Sequence, residues 1–239
     1  AAAGRRIATM QPLVLNRRRR ARLTAALWSV TSSMSALAES PMAVFSALVS
    51  EGGITRETDV SYGPQPRQRL DVYRRAERFR ADAGRRPRTG SDPIVIFYYG
   101  GSWTQGERGL YRFVGAALAT RGITTVIPDY RLFPEVRFPA FVEDAALAYR
   151  WTADNLANGC APIFVAGHSA GAHIAALVAL DKGYRDAIAP GRPQPAGWIG
   201  LAGPYAFDPT TWGSTRDIFA GASADGTRAS CDSAHSAEF

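Results

Sequence analysis

The sequence is poor in cysteine and histidine and has no long apolar run, and these shortages narrow its possible classes. Among 239 residues there are two cysteines, Cys160 and Cys231, and three histidines. They form neither a C-x-x-C motif nor a zinc-binding pattern, so we predict no metal site. The sequence does not decide whether these two cysteines form a disulfide bond or are free thiols. No stretch approaches the roughly 18 consecutive apolar residues of a membrane helix, so we predict no stable membrane span.

The net charge of +7 is concentrated in two segments. Residues 1–22 contain seven arginines and no acidic residue, and residues 74–92 contain seven arginines and three acidic residues. These segments contribute +7 and +4, so the remainder of the chain sums to −4. The net positive charge of the chain therefore does not indicate a nucleic-acid partner. A nucleic-acid or membrane-surface binder is kept as a third hypothesis that rests on residues 1–22 alone.

Residues 1–40 have two possible interpretations. A basic stretch (17–22), a mostly small or apolar stretch (23–37) and Ala36-Leu37-Ala38 follow one another in the order of a secretory signal. Serines and a threonine dilute the apolar stretch, and this favours a basic tail instead. The first interpretation predicts an exported or periplasmic protein, and the second a cytoplasmic one.

Continuous β-branched and aromatic runs are typical of strands buried on both faces. Four such strands are predicted, at Ile94–Tyr99, Ile123–Ile127, Ile163–Ala166 and Trp198–Ala202. A hairpin is predicted ahead of them, because residues 54–60 and 69–73 are two extended segments around a Gly-Pro-x-Pro turn.

Helical segments alternate with these strands. The predicted helices are 41–50, Leu110–Arg121, Pro139 to near Gly159, and Ala170–Lys182. Residues 74–92 and 183–196 are predicted as loops because glycine and proline interrupt them. The alternation predicts an α/β fold with a mostly parallel sheet and helices on both faces.

Between the third buried strand and its helix lies Gly167-His168-Ser169-Ala170-Gly171. This is the G-x-S-x-G pattern, in which a sharp strand-to-helix turn exposes a serine, and small residues are needed because the strand and helix backbones nearly touch. Ser169 is therefore the candidate nucleophile. The N–H of Ala170 lies at the start of a helix, where the helix dipole favours negative charge.

Five motifs occur in order along the chain. They are I-F-Y-Y-G-G-S-W at 96–103, P-D-Y-R-L-F-P at 128–134, F-P-A-F-V-E-D-A at 138–145, G-H-S-A-G-A-H at 167–173 and L-A-G-P-Y at 201–205. Together they resemble the α/β-hydrolase superfamily, in the carboxylesterase branch with bacterial esterase/lipases, isoprenylcysteine methylesterases and kynurenine formamidases. The resemblance covers roughly Val60 to Ile218. It implies an incomplete hydrolase domain at 41–219. Residues 220–239 are rich in small and polar residues, and this composition predicts a disordered tail.

The resemblance also implies a site. Ser169 would attack a small carboxylic ester, and the oxyanion would be bound by N–H groups of Gly100, Gly101, Ser102 and Ala170, with no cofactor. Tyr99 stands where relatives often have a histidine that supports this loop.

Five polar residues near these motifs are predicted to be structural. His168 is expected to point away from the serine and His173 to lie in the core or just behind the site. Asp129, Arg131 and Asp144 are expected to brace the fold through buried pairs.

The motifs do not include the acid and the histidine that would act with Ser169. In this fold the acid and histidine follow the serine on later strands and loops, but residues 203–239 contain no convincing strand. His235 is the only histidine after the motif, and the candidate acids are Asp208, Asp217, Asp225 and Asp232. We therefore predict a hydrolase that lacks its last strands and is impaired. The alternative is a non-catalytic hydrolase-like binding protein or an inactive fragment.

Overall fold

The computed structural model describes residues 41–77, 92–157, 160–206, 208–209, 211 and 213–220. The chain divides into two compact units, residues 1–44 and 45–239, and the strands of the described residues all lie in the second. The predictions made for residues 1–40, for the arginine-rich segment 78–91, and for residues 221–239 with Cys231 and His235 lie outside the described residues.

Six strands and six α-helices follow one another along the described residues. The strands are β1 Ile54–Ser61, β2 Arg69–Arg75, β3 Ile94–Tyr98, β4 Thr124–Pro128, β5 Ile163–His168 and β6 Gly197–Leu201. The helices are α1 Pro41–Leu48, α2 Arg112–Ala119, α3 Ala140–Asn155, α4 Ala170–Leu180, α5 Lys182–Ile188 and α6 Gly213–Phe219, and a short 3₁₀ helix, Arg108–Tyr111, precedes α2. The predicted strands and the longer helices are confirmed to within a few residues at each end.

The strands form one mixed sheet in the order β1-β2-β4-β3-β5-β6. The predicted hairpin is confirmed, because β1 and β2 pair antiparallel, and β2 continues antiparallel onto β4. The pairs β3–β4, β3–β5 and β5–β6 are parallel. In parallel strands the carboxyl ends meet at one edge of the sheet, so the residues that follow β3 and β5 lie side by side.

Helices cover both faces of the sheet, as the alternation predicts. Every residue of β3 is buried. Tyr98 donates a hydrogen bond to the carbonyl of Ala145 in α3 (2.9 Å), whereas Phe97 packs on Tyr111, just ahead of α2. Successive residues of a strand point to opposite faces, and α2 and α3 therefore pack on opposite sides of the sheet.

The prediction of a loop over 183–196 is wrong in its first half, which forms helix α5. Asp181 caps this helix, since its side chain accepts a hydrogen bond from the N–H of Gly183 (2.8 Å). The prolines of the interval begin only at Pro190, after the helix has ended, so they do not interrupt it.

Strand β6 is not buried on both faces, contrary to the prediction. Ile199 and Leu201, which point to the same face, are 52% and 50% exposed. In the part of the chain described, β6 pairs only with β5, and no further strand element follows it. After β6 the chain forms helix α6, which was not predicted from the sequence and which buries Ile218 and Phe219.

Candidate active site

Ser169 occupies the turn between β5 and α4 in a strained backbone conformation. Its φ of 52° and ψ of −120° place a non-glycine residue in a region that side chains rarely adopt. The turn is held because the N–H of Ser169 donates to the carbonyl of Leu201 in β6 (2.8 Å) and its own carbonyl accepts from Ala172 (2.9 Å). Ser169 is half-buried, so its side chain is not enclosed in the core.

The two glycines of the motif are required by close backbone contacts. A Cβ on Gly167 would lie 2.2 Å from the carbonyl oxygen of Gly171. A Cβ on Gly171 would lie 2.1 Å from the carbonyl oxygen of Tyr98 and 2.4 Å from that of Tyr99. All three distances are far inside van der Waals contact and involve backbone atoms that cannot swing away. The reason given by the sequence for small residues here is therefore confirmed.

The loop that follows β3 runs directly beside Ser169. A Cβ on Gly100 would lie 3.1 Å from the Cβ of Ser169 and 2.9 Å from the carbonyl oxygen of His168. Gly101, Ser102 and Trp103 all have positive φ, at 144°, 52° and 61°. We call residues 100–106 the glycine loop. Its turn is closed by the N–H groups of Thr104 and Gln105, which both donate to the carbonyl of Gly101 (3.0 and 3.1 Å).

Three backbone N–H groups beside the serine have no acceptor within the described residues. They belong to Gly101, Ser102 and Ala170. The N–H of Gly100 differs, because it donates to the hydroxyl of Tyr111 (3.3 Å). Unpaired N–H groups at a helix start and in a positive-φ turn form the kind of site that binds an anion.

His168 faces Tyr111 and not the serine, as expected from its position in the turn. The Tyr111 hydroxyl lies 3.0 Å from Nδ1 of His168 and also accepts from Gly100, so it joins the serine turn to the glycine loop. Sequence reasoning missed this residue. A tyrosine eleven positions after Gly100 carries no local signal of such a contact.

His173 lies in the interior, again as expected. Its ring makes edge contacts with Trp103 (5.5 Å between centroids) and with Phe219 of α6 (5.9 Å). Burial lowers the pKa of His173 to about 4 because a charged imidazole is poorly solvated there. The ring is therefore neutral at pH 7.

Tyr99 is fixed at the start of the glycine loop. Its ring stacks on Tyr130 (4.6 Å between centroids) and on Tyr111 (6.0 Å). Its carbonyl accepts from the Tyr130 hydroxyl (2.7 Å), and its own hydroxyl accepts from Arg67 (2.9 Å). Burial raises the pKa of Tyr99, so this hydroxyl stays protonated.

The acidic residues of the shared motifs form ion pairs that brace the loops. Asp144 is buried and accepts from the backbone N–H of Arg131 (2.8 Å), from its guanidinium Nη2 (2.7 Å) and from the Gln68 amide (2.7 Å). Asp129 pairs in the same way with Arg108. The prediction that Asp129, Arg131 and Asp144 form such pairs is confirmed.

No acid or base of a triad contacts the serine among the described residues. No side chain there hydrogen-bonds to the Ser169 hydroxyl, and the candidate acids Asp208 and Asp217 lie in the segment after β6. The other candidate acids, Asp225 and Asp232, lie with His235 outside the described residues. Within the same part of the chain, no cluster of His, Cys, Asp and Glu could hold a metal ion, and no helix is long and apolar enough to cross a membrane.

A cavity of about 480 Å³ lies at the opposite edge of the sheet. Ile163, which begins β5, lines it together with Ala153 and Asp154 of α3, Cys160 and Arg192. Ser169 follows the other end of β5, so this cavity is separate from the serine turn.

Strand order, serine turn and glycine loop together define the α/β-hydrolase fold. A family model described as the alpha/beta hydrolase fold matches residues 95–229, which is more than half of the chain. The chain belongs to this family.

Several curated proteins and solved structures are similar to the chain. It is 38% identical over 154 residues to a protein of Oryza sativa subsp. japonica described as a probable isoprenylcysteine alpha-carbonyl methylesterase, covering 61% of this chain and 34% of that protein. It is 35% identical over 125 residues to esterase LipC of Mycobacterium tuberculosis, covering 51% and 29%. Esterase B from Lactobacillus Rhamnosis shares the fold, with a TM-score of 0.57 and 23% identity over 83% of this chain and 64% of that structure. The chain therefore spans about a third of the length of these curated relatives.

Proposed function

We propose that this chain carries the nucleophile half of a carboxylic ester hydrolase. The observation that supports this most directly is the position of Ser169, in a strained turn beside the unpaired N–H groups of Gly101, Ser102 and Ala170. The similarity to proteins named as esterases supports an ester as the substrate. A small carboxylic ester is proposed because one relative is named as a methylesterase and the other as an esterase.

In the proposed reaction the Ser169 oxygen attacks the ester carbonyl carbon. The carbonyl oxygen becomes an oxyanion and accepts hydrogen bonds from Gly101, Ser102 and Ala170. Donors that are already in place cost no reorganisation as the charge develops, and the dipole of α4 adds to the stabilisation. The alcohol leaves with the proton that the Ser169 hydroxyl has lost, and an acyl-enzyme remains at Ser169. Attack by water on its carbonyl carbon then releases the acid and returns a proton to the serine oxygen.

Gly100 has a different part in this proposal. Its N–H is directed at the Tyr111 hydroxyl, so it is not counted among the oxyanion donors. Glycine is required at this position because a Cβ there would press against Ser169 and His168.

Activation of Ser169 requires a base, and none contacts it among the described residues. We therefore propose that this chain reacts slowly. Loss of triad members in serine hydrolases still leaves some rate from binding and the oxyanion hole. The same observation favours a second candidate, a hydrolase-like protein that binds esters without cleaving them.

Covalent labelling separates the two candidates. The parent chain is expected to take a fluorophosphonate label, and Ser169→Ala is expected to lose it. Ser61→Ala, which changes an exposed serine in β1, serves as the control and should label like the parent. Absence of label on the parent, together with no hydrolysis of p-nitrophenyl acetate above the Ser169→Ala background, would exclude the catalytic proposal for this chain.

A further inference from the structure

Arg67 lies in the turn between β1 and β2 and contacts three separate segments near the glycine loop. Its Nε donates to the carbonyl of Tyr130 (2.9 Å). Its Nη2 donates both to the hydroxyl of Tyr99 (2.9 Å) and to the carbonyl of Gly106 (2.8 Å). One guanidinium therefore joins the residue before the glycine loop, the last residue of that loop and the segment after β4.

The two ends of the glycine loop are close together where Arg67 holds them. Gly106 has a φ of 110°, and a Cβ on it would lie 2.8 Å from the carbonyl oxygen of Gly100 and 2.9 Å from the Tyr99 ring. No side chain fits at this junction, so residue 106 contributes no side-chain contact of its own. Arg67 supplies the polar contacts that join Tyr99 to Gly106.

The acceptors of Arg67 distinguish it from other half-buried arginines of the chain. Arg108 bonds to the carboxylates of Asp71 and Asp129, and Arg56 bonds to Asp71. Arg67 forms no ion pair among the described residues, and all three of its acceptors are uncharged. Its contacts are thus confined to groups that set the path of the backbone around the glycine loop.

We propose that Arg67 is a positioning residue for the oxyanion donors Gly101 and Ser102, which it serves by fixing both ends of the glycine loop. This inference rests on the proposed function of that loop. The planar fork of an arginine can donate to three acceptors in fixed directions, whereas a lysine ammonium is a single point of charge on a flexible stem. Lysine is therefore not expected to replace it.

Labelling kinetics with a fluorophosphonate test the proposal. In Arg67→Ala the maximal rate of Ser169 modification is expected to fall about 10- to 100-fold, because displacement of donors by about 1 Å is enough for such a loss. The probe concentration that gives half the maximal rate should change little, since Arg67 does not touch the substrate position. Arg67→Lys should resemble Arg67→Ala, and methylguanidinium in the buffer should restore part of the rate to Arg67→Ala.

Arg56→Ala is the matched control. Arg56 is also half-buried and bonds to Asp71 (3.0 Å), but it has no contact with Tyr99 or Gly106. The substitution Arg56→Ala should lower the free energy of unfolding without lowering the maximal labelling rate. An equal loss of rate in both variants, or full rate in Arg67→Lys, would overturn the inference.

Hydrogen exchange of the backbone amides of Thr104 and Gln105, which are hydrogen-bonded within the glycine loop, tests the inference independently of the proposed function. These amides should exchange faster in Arg67→Ala than in the parent or in Arg56→Ala. If the parent takes no label, the catalytic proposal fails, and the exchange measurement still decides whether Arg67 holds the loop. Unchanged exchange in Arg67→Ala would reject Arg67 as a positioning residue whatever the labelling shows.

Discussion

The backbone of the turn that carries Ser169 is closely packed, whereas strand β6 has one half-exposed face, although the carbonyl of its Leu201 accepts a hydrogen bond from that turn. Around the turn, Gly100, Gly167 and Gly171 allow backbone contacts too close for any side chain. On β6, Ile199 and Leu201 expose about half of their surface. These two regions are direct neighbours in the sheet, yet the turn has close backbone contacts and β6 leaves two apolar side chains half exposed.

The difference separates two requirements of serine catalysis. The proposed nucleophile and the proposed oxyanion donors depend on contacts made within β3, the glycine loop, β5 and α4. In this fold the catalytic acid and histidine come later in the chain than the serine, in the part of the sequence that begins with β6. The described residues therefore hold Ser169 in a strained turn beside unpaired N–H groups, and none of them supplies a base in contact with it.

The largest effect is expected where the packing is tightest, from Gly171→Ala. The added methyl group would meet the carbonyl oxygens of Tyr98 and Tyr99 at 2.1 and 2.4 Å. We expect the free energy of unfolding to fall by about 3 kcal/mol, the upper range for overpacked cores, as measured by urea denaturation. Gly213→Ala is the control, since nothing lies within 4 Å of its Cβ position. Equal stability of the two variants would show that the turn is less constrained than its geometry indicates.

A pH effect is expected at His173, where the serine helix meets Phe219 of α6. Because its pKa is about 4 when folded and 6.5 in an unperturbed residue, the unfolded state binds more protons between those values. Stability should therefore be complete above pH 6.5 and decrease as the pH falls toward 4, by up to about 3 kcal/mol.

The measurement for His173 is the free energy of unfolding as a function of pH, for the parent and for His173→Phe. The variant should lose less stability than the parent between pH 6.5 and 4. Identical pH curves would mean that His173 is not enclosed, and that α6 does not cover this part of the serine helix.

The smallest effect is expected on β6. Ile199→Thr should lower the free energy of unfolding by less than about 1 kcal/mol, because half of the side chain is already in water. Val165→Thr, on the neighbouring strand β5, is the comparison. Val165 is fully buried, so its new hydroxyl should cost about 1 to 3 kcal/mol. Equal losses in the two variants would show that the β6 face is covered in solution.

Much of the fold could be predicted because the signals were local. The runs Ile94–Tyr98 and Ile163–His168 are apolar along nearly their whole length, which identifies buried strands without knowledge of their partners. Helix α5 was missed because the prolines after it outweighed the Asp181 cap at its start. Helix α6 was missed because seven residues with two buried apolar side chains have too little periodicity to be recognised.

The candidate site was predictable in part. Ser169, Gly101, Ser102 and Ala170 stay predictions as functional residues, and the structure places them around one turn. Arg67 and Tyr111 could not be predicted. Their contacts join residues far apart in the chain, and no spacing rule connects Arg67 to Gly106, 39 positions later.

The sequence by itself determined where the chain turns sharply, because glycine and strand-forming residues act within a few positions of one another. Only the tertiary structure decided which side chains hold that turn and which strand face stays exposed. Those properties depend on neighbours in space, and the sequence specifies such neighbours only through the completed packing. Ser169 could be predicted from Gly167–Gly171 together with the strand and helix that flank it. The contacts that fix its surroundings come from the turn between β1 and β2, the segment after β4 and helix α6.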